Sequence, residues 1–129
     1  MTKLDKQNIL AVAALLIHAA KIDENYSEEE KKLVLRFIEK VSDSKDGINE
    51  ILKEAEKIET NSNQLLNFTK VIKEQSLDLK KVIIENLWEI IISDKKIDQY
   101  ESNLMRRICG LIYFPDKLNG EIKLRILNQ

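Results

Sequence analysis

One cysteine, one proline, one histidine and three glycines among 129 residues exclude several architectures at once. An all-β chain needs frequent turns built on Gly and Pro, so their scarcity argues against strands. Cys109 has no second cysteine to pair with and no Cys-x-x-Cys neighbour, which fits a reducing compartment. Neither charge sign is in excess: the net charge is −1, which leaves no electrostatic footprint for DNA or RNA. Long apolar runs are missing too. The run Ile9–Ile17 is far short of the roughly 20 residues that span a bilayer. The opening MTKLDKQN carries charges of both signs and no apolar h-region, so it does not read as a signal peptide. The expectation is a soluble, cytoplasmic protein with no nucleic-acid partner and no membrane association.

Catalytic signatures are equally scarce. The chain contains no Gly-rich phosphate loop, no G-x-S-x-G, no H-E-x-x-H and no Cys/His metal spacing. Carboxylates cluster in places, but no complementary acid, base or nucleophile accompanies them, so the expectation is a protein that is not an enzyme.

What remains is rich in helix formers. Hydrophobic residues make up 43% and charged residues 33%, with Leu, Ile, Lys, Glu and Ala dominant. That balance suits one folded all-α domain over residues 1–129. Apolar periodicity and breakers predict about seven helices. They fall near 4–22, 27–42, 47–59, 63–75, 78–93 and 99–113, with Pro115 in the first turn of the seventh. The segments Ile9–Ala20 and VIIENLWEIII are apolar on nearly every side, so helices one and five are expected as a central buried pair.

Those two helices lead into a repeated stretch. IHAAKIDENYSEEE (17–30) and WEIIISDKKIDQYE (88–101) align at an offset of 71 residues, which lays Asp94 on Asp23, Asp98 on Ser27 and Glu101 on Glu30. The match extends to Leu16 with Leu87, Leu33 with Leu104 and Phe37 with Ile108. An internal duplication with units near 4–42 and 78–113 is the simplest reading.

Two roles compete for the acidic turns. Ser27-x-x-Glu30 and Asp98-x-x-Glu101 both match a capping box, with Tyr26 and Ile97 placed for a hydrophobic staple. Asp23 and Asp94 need another account, because a carboxylate at a helix C-terminus opposes the macrodipole by about 0.3–1 kcal/mol. Orphan N–H groups could offset that. So could a cation: Asp94, Asp98 and Glu101 offer three hard oxygen ligands for Ca²⁺ or Mg²⁺. The spacing is not that of an EF-hand loop.

The segments ALLIHAAKIDENYSEEE and LWEIIISDKKIDQYESNLMRRICGLI resemble the TerB-like family, associated with bacterial tellurite resistance, and its stand-alone members in particular. The resemblance runs through nearly the whole chain. It implies a multihelical bundle around two central helices, with two acidic clusters for divalent metal. The matching acids are Asp23 and Glu30 in the first motif, and Asp94, Asp98 and Glu101 in the second. Glu24 and Lys95 stand where the family often has Gly, and Lys95 and Lys96 place ammonium groups beside the second cluster. The alternative reading is an adaptor with an unknown protein partner, or a homodimer, in which the turns are only caps.

Other residues carry expectations of their own. His18 and its counterpart Glu89 are expected to meet across a pseudo-twofold axis, since buried polar groups need partners. Trp88 is expected in the core with its indole N–H bonded. Cys109, aligned with Ile38, is expected as a buried apolar residue. Lys80, Lys81, Lys123 and Arg125 read as solvated faces.

Overall fold

The computed structural model describes residues 4–21, 26–42, 46–62, 66–92 and 99–128, which form seven helices and, among those residues, no strand. The helices are α1 (Lys6–Ala20), α2 (Glu28–Val41), α3 (Ile48–Thr60), α4 (Leu66–Ile72), α5 (Leu77–Ile92), α6 (Gln99–Leu111) and α7 (Asp116–Leu127). All seven expected helices are present. None is long and apolar enough to cross a membrane among the described residues.

Local chemistry sets their ends. α1 starts two residues later than expected because Asp5 caps it: the Asn8 N–H donates to Asp5 Oδ1 at 2.9 Å. Leu4, just outside, is buried, and its N–H donates to the Val41 carbonyl at the end of α2. α3 starts after Gly47, whose φ of 78° is a left-handed conformation that suits glycine. α4 stops at Ile72 rather than Gln75, because Ser76 already caps α5, accepting from the Leu79 N–H at 3.2 Å. Pro115 takes the N-cap of α7 (φ −61°, ψ 132°), one position ahead of the expected first turn.

The end of α6 is a Schellman motif. Phe114 N–H donates to Cys109 O at 2.8 Å and Tyr113 N–H to Gly110 O at 3.4 Å, with Tyr113 at φ 60°. Buried Phe114 then packs where the motif places its apolar contact.

α1 and α5 pack against each other at the centre, as their all-round apolarity predicts. α1 also contacts α2, α3 and α4; α5 also contacts α2 and α7; α6 lies on α4 and α7. Buried positions recur at the 71-residue offset: Val12 with Ile83, Leu16 with Leu87, Val34 with Met105, Phe37 with Ile108, Ile38 with Cys109 and Val41 with Ile112. Each such side chain contributes on the order of 1.5–3 kcal/mol by leaving water. One basic residue departs from expectation. Lys80 is buried rather than solvated, and its aligned position, Ile9, is buried as well.

Candidate functional site

α1 delivers two basic groups to its C-terminal end. His18 lies in the last turn and Lys21 is the C-cap, where positive charge complements the helix dipole. Both reach Glu59 in the last turn of α3: Lys21 Nζ stands 2.8 Å from Oε1, and His18 Nδ1 3.2 Å from Oε2. Lys21 Nζ also donates to Thr60 Oγ1 at 3.4 Å. Glu59 is 8% exposed and sits where the dipole of its own helix is negative, so these contacts supply the compensation it requires.

The expected His18–Glu89 contact is therefore not formed. His18 faces α3 and α4, with its ring 6.3 Å from that of Phe68. Glu89 faces α2 and pairs with Arg36 at 3.0 Å. The sequence did carry a signal for Glu59: Leu52, Ala55 and Glu59 share the buried stripe of α3. A carboxylate that completes an apolar stripe needs an ionic partner.

The start of α2 forms the complete capping box. The Glu30 N–H donates to Ser27 Oγ at 3.2 Å, and the Ser27 N–H donates to Glu30 Oε1 at 2.8 Å. Glu30 is 4% exposed. The expected staple residue Tyr26 meets the fourth residue of the helix, but that residue is Lys31, whose Nζ lies 5.3 Å from the ring centroid. The contact is thus a cation–π pair. Tyr26 Oη is enclosed without a partner at hydrogen-bonding geometry. Burial first, then the nearby Glu56 carboxylate and the charges of Glu30 and Glu28, hold its phenol proton well beyond the ordinary range.

Of the five candidate ligands, Glu30 is the one whose side chain is described. Asp23, Asp94 and Asp98 lie outside the described residues, as do Ile97 and the side chain of Glu101; α6 itself begins at Gln99. Among the described residues, no three His, Cys, Asp or Glu side chains gather closely enough to hold a metal ion.

Cys109 is fully buried, and burial together with the Asp116 charge pushes its thiol up to about 12. It stays protonated near neutrality, the form that is neither nucleophile nor ligand. Trp88 is 1% exposed, and its indole N–H donates to Asn119 Oδ1 at 2.8 Å. Arg125 is exposed, as expected, and Lys123 is half-buried; both also make contacts. Lys123 Nζ stands 5.3 Å over the Trp88 ring, and Arg125 pairs with Glu85 at 2.9 Å.

Against known proteins, a family model described as Tellurite resistance protein TerB matches residues 9–124. Comparison with curated proteins and with solved structures gave no significant match.

Proposed function

The chain belongs to the TerB family, which is linked to tellurite resistance, and on that premise we propose a non-enzymatic cytoplasmic module that takes up a divalent cation, Ca²⁺ or Mg²⁺, at its two acidic turns. Asp23 and Glu30 serve the first turn; Asp94, Asp98 and Glu101 serve the second. The observation that supports this reading is the shared burial register of α1–α2 and α5–α6, with each acidic stretch joining a central helix to its amphipathic successor. Hard carboxylate oxygens at such a junction suit Ca²⁺ or Mg²⁺, with carbonyls and water completing the shell. A carboxylate offers about four lone-pair positions, so capping and ion binding are compatible on Glu30.

NMR titration with Ca²⁺, Mg²⁺ and Mn²⁺ tests it. Amide shifts or paramagnetic broadening around Asp23 and Asp94 at up to millimolar metal are expected, with the second set lost in Asp94→Ala. No response at either turn retires the cation.

A second reading is favoured by one specific observation, the complete Ser27–Glu30 capping box. Here the turns serve as caps and the protein is an adaptor for a protein partner or a second copy of itself. Glu30→Gln discriminates, because glutamine also completes a capping box. A first-turn cation response that survives this change removes Glu30 from the ligands. A response lost with stability unchanged assigns it to them.

A further inference from the structure

α5, α6 and α7 enclose a cleft of about 460 Å³ that the acidic turns do not account for. One wall is the face of α7 carrying Asp116, Asn119, Gly120 and Lys123, spaced so that all four share a stripe. Trp88 of α5 and Ser102 and Arg106 of α6 complete it.

Its donors are arranged rather than incidental. An indole N–H can only donate, so Trp88 fixes the Asn119 amide with its oxygen toward the ring. Both Nδ2 hydrogens of that side chain, 8% exposed, are thereby left for whatever occupies the cleft. Lys123 is held at the wall by its cation–π contact with Trp88. Among the described residues, neither Arg106 nor Lys123 has a carboxylate at ion-pair distance. Asp116 is the one acid in the lining, and it lies in the first turn of α7, where the helix dipole offsets its charge. That N-terminus carries no side-chain cap, so its leading N–H groups add to the positive end. Gly120 keeps the floor open, since a Cβ there would meet nothing within 4 Å.

We propose that this cleft binds the phosphate group of a small phosphorylated molecule, with Arg106 and Lys123 neutralising the oxyanion and Asn119 Nδ2 donating to it. The guanidinium fork matches a phosphate edge, and the ammonium supplies a point charge beside it. The volume exceeds that of phosphate alone, so an organic portion extends along the wall. A hydroxyl or amine on that portion would donate to Asp116.

Trp88 is the only tryptophan, so intrinsic fluorescence of the full chain reports directly on the cleft. Inorganic phosphate and glycerol 2-phosphate are titrated against sodium chloride at matched ionic strength. A saturable change specific to the phosphates is expected, weakened at least five-fold in Arg106→Gln and in Lys123→Gln. Gly120→Leu, which fills the floor, should abolish it. Tighter binding of glycerol 2-phosphate marks a phosphomonoester as the ligand, and equal binding marks free phosphate. A change no larger than with chloride overturns the proposal. So does undiminished affinity in Arg106→Gln, a change at an exposed side chain, with folding checked by circular dichroism.

Discussion

α1 buries alanines where α5 buries isoleucines: Ala13 and Ala19 align with Ile84 and Ile90, and all four are buried. The burial pattern is shared, but the volume is not. α1 is contacted by α2, α3, α4 and α5, and small side chains let neighbouring backbones approach an enclosed helix. α5 contacts α1, α2 and α7, and larger isoleucines fill the space around it. The polar positions diverge further. His18 turns to α3 and the buried Glu59, whereas the aligned Glu89 turns to α2 and the exposed Arg36; Trp88 replaces Ile17 and brings an N–H that Asn119 must accept. The same sequence frame thus recurs at many buried positions, though not at Ala14 and the half-exposed Glu85, while neighbours decide what chemistry each can hold.

Truncating the shared positions tests the first half of that statement with the largest effects. Leu16→Ala and Leu87→Ala, both fully buried, should each cost about 2–5 kcal/mol in urea unfolding. A near-zero cost at one of them would break the equivalence. The polar divergence comes next. Glu59→Gln should cost about 1–3 kcal/mol, since it removes the charge of a buried carboxylate that two half-exposed basic groups share, while Glu89→Gln at the more exposed Arg36 pair should cost about 1 kcal/mol or less. Equal losses would erase the distinction between a buried partner and an exposed one. The caps offer a sharper pairing: Ser27→Ala should cost about 0.5–2 kcal/mol, and an equal loss in Asp98→Ala would show that the second turn caps α6 in the same way.

A smaller effect separates Cys109 from its aligned residue Ile38. The folded protein holds the thiol proton up to about 12, while the unfolded chain releases it in the ordinary thiol range. The stabilisation is therefore complete below the ordinary thiol range and is lost as pH rises through it towards 12. Relative to Cys109→Val, the wild type should lose roughly 1.5–2 kcal/mol by about pH 10, read from denaturation midpoints. The smallest change concerns the end of α6. Tyr113→Gly should gain up to about 1 kcal/mol in thermal unfolding, because a left-handed C′ position suits glycine.

Much of this organisation was legible in the residues. The apolar runs of α1 and α5 revealed the central pair, Ser27-x-x-Glu30 revealed a cap, and the alignment of Cys109 with Ile38 revealed its burial. What escaped was pairing across the bundle. His18 and Glu89 share a register position, but register does not state which neighbour each face meets, and α3 and α4 intervene on one side while α2 does so on the other. Lys123 read as solvent-facing because a period of 3.6 separates faces of a helix without revealing that Trp88 lies opposite. Asp5 delayed the start of α1 and Ser76 marked the boundary between α4 and α5, because short polar side chains compete for the backbone N–H groups a longer helix would have enclosed.

The hydrogen bond from Leu4 to the carbonyl of Val41 has a mechanical consequence. It fastens the head of the first helix to the tail of the second, so those two ends part only when this backbone bond breaks. Amide exchange at Leu4 should therefore report the parting of α1 from α2.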